Sequence, residues 1–298
     1  MSALVNDLQP MNSLDDFVEQ AWNDHATDAA AVAARLPQGL SLAHDDDGVM
    51  RLAALAHHVL GEHLGRWADG LAFLGQLAER GVHGAGGAAS IARCVASLRL
   101  CAGGDVEIPP AMSPSDQCRV AAMAASGLAA FDAARASGLL HDAVARAQPL
   151  PDADPGVRAL AASGNGIAGT LQELVPLGPA QRELMIRAAE VARAHWERAG
   201  TWLEVERAEY RLALCWLAAG DAAQALQHAR RCDAIVRENG SLPLEVFFAA
   251  EALCLPLRAL GDGAGHKAAL ASARQAFDAL AADDRAWCRA TLDKIEAA

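Results

Sequence analysis

Glycine and proline cut this chain at intervals of one helix, and that spacing constrains its fold more than any other feature. The strongest breaks are Pro37 with Gly39, Gly65-Arg66, Gly81–Gly87, Gly103–Ser115 with its three prolines, and Pro149–Gly156. Between breaks, apolar side chains recur every three or four residues, the period of an amphipathic helix. Val205, Ala208, Leu212, Cys215 and Ala219 form one such stripe, and Leu184, Ala188, Val191 and His195 another. Glu183 with Arg187, and Arg193 with Glu197, stand as i,i+4 pairs on other faces. The pattern predicts helices over 13–36, 48–64, 67–80, 88–102, 116–136, 138–147, 157–174, 180–199, 202–219, 222–238, 243–260, 265–281 and 283–297. Ser13, with Asp16 three residues on, reads as the first N-cap. No stretch reads as a strand. Hydrophobic residues make up 53% of the chain but aromatics only 4%. Alanine carries most of the apolar content; it favours helix and is too small to fill a sheet sandwich. An all-β fold is excluded, and the expected class is all-α.

Charge narrows the function classes. The net charge is −12, which disfavours a non-specific grip on nucleic acid or an anionic membrane. Residues 1–48 hold nine acids against the single base Arg35, so most of the excess lies there. It reads as an acidic, solubilising capping helix, or as an arm for a basic partner. Met1–Asp7 lacks the basic and apolar regions of a signal peptide, and no run is long and apolar enough to span a membrane. The seven cysteines (Cys94, Cys101, Cys118, Cys215, Cys232, Cys254, Cys288) contain no CxxC pair and sit in Ala/Leu-rich stretches. Free, buried thiols in a reducing cytoplasm are expected.

Several motifs carry possible chemistry. Gly164-Asn165-Gly166-Ile167-Ala168-Gly169 matches GxGxxG, but a dinucleotide site needs a strand before it and a long helix after it. Val157–Ala162 is helical in character and Pro176 follows too soon, so close helix packing or a loosened helix is expected there. His57-His58-Val59-Leu60-Gly61-Glu62-His63 is the one dense cluster of potential ligands. On a helix His58 and Glu62 share a face and can hold two corners of a zinc or iron site, with a third ligand open among His25, His83 and His141. The competing reading makes these helix residues beside a packed interface. His44–Gly48 fails as a calcium loop because Ala43 and Ala54 occupy the first and last ligand positions. Its acids are expected to support the next helix N-terminus instead. There is no GxSxG elbow, no cysteine in a nucleophile context and no distinctive carboxylate pair, so no catalysis is expected.

Two segments repeat an order of residues. Leu212-Ala213, Trp216, Gly220-Asp221, Ala225 and Ala229 are followed by Leu253-Cys254, Leu257, Gly261-Asp262, Ala269 and Phe277. Ile167-Ala168 and Leu171 begin a third, with a longer loop after it. This order resembles the tetratricopeptide repeat, in the longer-helix variety of bacterial regulators. The resemblance covers 157–282 and, more loosely, 48–147 through Gly65-Arg66-Trp67 and Gly70. It departs in its spacing, 45 positions from Ile167 to Leu212 and 41 to Leu253, in Pro256 inside a helix, and in Arg237 where a proline is expected.

The resemblance implies a right-handed superhelix, an α-solenoid of about five helical hairpins with terminal caps. The Pro149–Gly156 break divides the chain into an N-terminal half over 1–148, a hinge at 149–156 and C-terminal repeats over 157–298. The first helix of each hairpin would line a concave groove, placing Arg207, Tyr210, Arg211 and Leu214 there, with Asn165 and Gln172 before them and Glu251 and Arg258 after. The function so implied is a cytoplasmic scaffold, without cofactor, that binds a protein or peptide partner by contact alone. Guanidinium forks suit a carboxylate or acidic motif. On the competing reading these arginines pair with Glu204, Glu206 and Glu209 on a solvated face. The alternative function is a metal- or ligand-sensing regulator using His57, His58, Glu62 and His63 with zinc or iron. Homodimerisation through 283–297 is a further option, although Trp287 and Leu292 equally suit a cover over the last hairpin.

Overall fold

A computed structural model describes residues 13–103, 106–174 and 176–297. The amino-terminal Met1–Asp7, on which the signal-peptide reading rests, lies outside the described residues. Among the described residues there is no strand. The helices are α1 (Leu14–Leu42), α2 (Asp46–Ala56), a π-helical turn (His57–His63), α3 (Trp67–Glu79), α4 (Ala85–Ala102), α5 (Pro114–Leu128), α6 (Ala133–Ala147) and α7 (Pro155–Gln172). There follow α8 (Pro179–Ala199), α9 (Trp202–Ala218), α10 (Ala222–Glu238), α11 (Pro243–Ala259), α12 (Gly263–Ala279) and α13 (Ala282–Glu296). None is long and apolar enough to cross a membrane.

Side-chain caps set most of these starts. Ser13 accepts from the Asp16 N–H, Asp45 from Gly48, Asp154 from Gly156, Asp221 from Ala223 and Gln224, and Asp262 from Gly265. Thr201 and Glu204 form a reciprocal capping box. Three expectations need correction. The first helix does not end at Leu36. It continues through Pro37 to Leu42, and its break falls at Asp28 (φ −147°, ψ 71°), whose carboxylate accepts from the Ala31 N–H at 2.9 Å and so caps the second half. The segment 48–64 is not one α-helix, because the backbone widens into the π turn at His57. The segment 116–136 ends at Leu128, and Asp132 caps α6 through the Arg135 N–H.

Contacts divide the chain into two compact units between Asp116 and Gln117. In the first, α2 packs on α1 and α4, and α3 on α4, around Phe17, Leu36, Leu52, Leu55, Leu74, Leu77 and Leu98. In the second, α7 packs with α8, α9 with α10, and α11 with α12. The last two pairs are joined by the predicted Gly-Asp turns: Gly220 (φ +89°) and Gly261 (φ +75°) take the left-handed conformation that ends one helix, and the aspartate caps the next. The first members of the pairs also touch in succession, α7 with α9, α9 with α11, and α11 with α13. Cys288, Leu292 and Ile295 of α13 bury themselves in the core that Phe247 and Phe277 build. Arg198 of α8 pins the 149–156 segment, bonding the carbonyls of Ala147 and Leu150 and the Asp152 carboxylate. All seven cysteines are free and buried.

The GxGxxG motif lies wholly inside α7, so it has neither the strand nor the turn of a dinucleotide site. Gly164 sits where α7 and α8 meet: a Cβ there would lie 2.7 Å from the Ala188 carbonyl oxygen and 3.1 Å from the Ala192 nitrogen. At Gly166, by contrast, a Cβ would meet nothing. Gly164→Ala should therefore destabilise the protein by about 1–3 kcal/mol through forced separation of two backbones. Gly166→Ala should stabilise it by about 0.5–1 kcal/mol through helix propensity. Urea unfolding of the two variants checks both signs, and similar behaviour of the pair would refute the close approach.

Candidate functional site

The contacting faces of α7, α9, α11 and α13 enclose a groove of about 470 Å³ in the second unit. Asn165 comes from α7, Glu206, Arg207, Tyr210 and Arg211 from α9, Leu244, Glu245 and Phe248 from α11, and Trp287 from α13. Helical period explains the cluster on α9, since positions 206, 207, 210 and 211 are spaced i, i+1, i+4 and i+5 and share one face. An aromatic file forms one wall. Tyr210 meets Phe248 edge-on at 5.7 Å between ring centroids, and Phe248 meets Trp287 at 5.2 Å. Trp287 stays 66% exposed, so the end of that wall is open to a ligand.

The polar side is tied to neighbouring helices. Arg207 donates to both oxygens of Glu245, at 2.6 and 3.4 Å, with the guanidinium side more than half exposed and the carboxylate buried. Arg211 donates through Nη1 to Gln172 Oε1 at 2.8 Å, while its buried Nε has no acceptor among the described residues. Tyr210 donates its hydroxyl to Glu251 at 2.8 Å. Glu206 is 1% exposed; its Oε1 accepts from the Cys232 thiol at 2.9 Å, and its Oε2 has no partner among the described residues. Burial pushes the Glu206 carboxyl up to about 7, against the thiol hydrogen bond and with help from the neighbouring Glu245 carboxylate. Burial likewise raises Glu251, and burial followed by the Glu251 charge raises the Tyr210 phenol. The Cys215 thiol is pushed up to about 12 and the Cys232 thiol further still, both first by burial. Neither is an activated nucleophile.

Of the residues named from sequence, the structure brings Asn165, Arg207, Tyr210 and Arg211 into one groove. Gln172 and Glu251 stand behind them as partners of Arg211 and Tyr210. Leu214 instead packs against the core around Phe247, and Arg258 is exposed near the end of α11. The same-helix acids do not serve as partners of these arginines. Glu204 bonds Arg158, Glu206 and Glu209 are buried, and Glu209 is held by Arg193 at 2.8 Å and His228 at 2.6 Å. Sequence reasoning missed Glu245, Leu244 and Phe248 as groove residues, and treated Glu206 as a surface charge. The available signal was phase: positions 206, 209 and 213 follow the i, i+3, i+7 rule of a buried face.

In the first unit, the ligand candidates separate. His57 is buried with Nε2 2.9 Å from Ser97 Oγ, so it faces the core. Glu62 bonds His58 Nδ1 at 2.7 Å and approaches His57 Nδ1 at 3.4 Å. Burial raises the Glu62 carboxyl, but its hydrogen bonds with His57 and His58 outweigh that and hold it at about 2. His83 and His141 do not join the group, whereas His25 does. A wider depression of about 750 Å³ in the second unit is lined by Arg182, Glu183, Arg187 and Glu190 of α8 beside Trp216; it includes no buried unpaired group. Comparison with protein-family models, with curated proteins and with solved structures gives no significant match for the chain.

The raised Glu206 carboxyl has a measurable consequence. The native state keeps a proton that the unfolded chain releases near its ordinary value of 4.5, so this group's contribution is present at low pH and lost as pH rises through about 7. The thermal midpoint of the natural protein should fall between about pH 5 and pH 8 relative to Glu206→Gln, which cannot ionise. Parallel profiles would show that Glu206 is charged throughout.

Proposed function

We propose that the second unit is a non-catalytic binding module of tetratricopeptide-like hairpins. It takes a peptide segment that sets a carboxylate beside an apolar side chain. The observation that carries this reading is the buried Arg211 Nε without an acceptor, in the same groove as the open Leu244–Phe248–Trp287 wall. A buried donor left unpaired is costly, and a ligand carboxylate would satisfy it while drawing on the more exposed guanidinium of Arg207. The aromatic wall would take the apolar neighbour, as rigid rings do at low entropic cost. The succession of α7, α9, α11 and α13 contacts supports a repeat-type stack, in which one helix of each hairpin faces the ligand. Binding by contact is also favoured by the raised Tyr210 phenol and Cys232 thiol, whose partners Glu251 and Glu206 are themselves pushed toward the neutral form by burial.

The test is a set of short peptide pools, matched except for a free or amidated carboxyl terminus, with and without acidic residues, titrated against Trp287 fluorescence. Trp287→Phe identifies the signal. Free-carboxylate or acidic pools with apolar residues should bind, and Arg211→Gln, which keeps a donor for Gln172, should weaken them at least tenfold with little change in melting. Arg207→Ala is a poorer probe because it strands the buried Glu245. Equal binding of amidated, acid-free pools, or no binding by any pool, would overturn the reading.

A further inference from the structure

The π turn of the first unit brings together a group of side chains that the groove does not use. Its i→i+5 pattern, seen in the Leu64 N–H donating to the Val59 carbonyl at 3.2 Å, is wider than an α turn. Residues five apart therefore lie on one face, and His58 and His63 meet with their Nε2 atoms 3.0 Å apart. From α1, His25 joins them at ring-centroid distances of 5.0 and 5.1 Å. The three rings offer ligand nitrogens that all lie within 4.8 Å of one another.

The hydrogen bonds around the group fix the free nitrogen of two rings, and the His63 Nε2 proton that bridges to His58 is the one a metal would displace. His25 Nδ1 lies 2.6 Å from the Trp22 carbonyl, so it carries the proton and donates, leaving an Nε2 lone pair. His58 Nδ1 donates to Glu62 at 2.7 Å, which again leaves Nε2 as a lone pair, now facing His63. The carbonyl behind His25 and the carboxylate behind His58 are the outer-shell arrangement that orients imidazole ligands and raises their basicity. Trp22 covers the flank of His25 and His58, with centroids at 5.1 and 5.0 Å, while His63 is exposed and leaves an approach from solvent.

We propose that His25, His58 and His63 form a three-imidazole site for a divalent transition metal of the zinc class, with Glu62 and the Trp22 carbonyl as orienting groups. Zinc–imidazole bonds of about 2.0–2.1 Å in a tetrahedron need nitrogens about 3.3 Å apart, a spacing that small ring rotations would reach here. Three imidazoles without a thiolate suit zinc and its neighbours, and the fourth position stays open. This ligand set differs from the one expected from sequence. Glu62 is the orienting group and not a corner of the site, His57 belongs to the core, and His25 supplies the third nitrogen. The site stands independently of the groove reading.

The test uses the full chain without a histidine tag, stripped with chelator. Zinc binding is followed by calorimetry and cobalt(II) by its visible absorption. One ion per chain should bind, with a tetrahedral-type cobalt spectrum. His63→Asn, at an exposed position, should lose at least tenfold in affinity, and so should His25→Asn. Glu62→Gln should weaken binding about 10–100-fold without moving the stoichiometry. His141→Ala should change nothing. No saturable zinc binding, or affinity unaltered in His63→Asn with its fold verified by circular dichroism, would overturn the proposal.

Discussion

Glu209 is a carboxylate buried in an alanine-lined interior, held at once by Arg193 from α8 and His228 from α10. Removing either partner would leave the buried carboxylate with half its compensation, so the three helices are committed to one relative height. Small side chains let helices come close but specify poorly how far one slides along another. Directional buried bonds supply that specification. The same helix repeats the device toward its other neighbours: Arg211 reaches Gln172 on α7, Glu206 meets Cys232 on α10, and Arg207 and Tyr210 reach Glu245 and Glu251 on α11. The polar residues that line the groove are thus also those that fix the register of the hairpins around it.

Much of the fold could be read from breakers and caps, because these act locally. Gly220-Asp221 and Gly261-Asp262 specify a left-handed residue and an N-cap side by side, and the turns appear where the sequence places them. Asp28 and Asp132 obey the same rule, but neither stands beside a glycine or proline, so the breaks they impose were hidden in alanine-rich runs that favour continuation. The π turn left no local mark at all. Its sequence is compatible with an α-helix, and the wider backbone is revealed only by its hydrogen bonds.

The site was legible where one helix carried it and illegible where two helices met. Arg207, Tyr210 and Arg211 share a face by period alone, which sequence shows. That Glu245 and not Glu204 would be the partner of Arg207 depends on how α11 lies against α9, a non-local fact. Trp287 shows the same limit, since it reads as a cover for the last hairpin while its neighbours Cys288 and Leu292 make that cover and the indole turns toward Phe248. The GxGxxG motif marks the opposite failure, where a pattern is present without the strand that gives it meaning. Two of its three glycines serve helix contact, Gly164 against the α8 backbone and Gly169 beneath the Arg211 guanidinium.

The widened turn at His57–His63 has a consequence for length as distinct from side-chain identity. An α-helix turns by about 100° per residue, and a π turn accommodates one residue more than the α register needs. If the same residues took the α form, five steps of about 100° would leave His63 about 140° round the axis from His58. In the wider turn the two imidazoles meet instead, and the Trp67 indole donates to the Gly61 carbonyl. A one-residue deletion between the two histidines would put them at i,i+4, where an α-helix holds them on one face without the wider turn. The meeting of its imidazoles is written in the number of residues as much as in their kind.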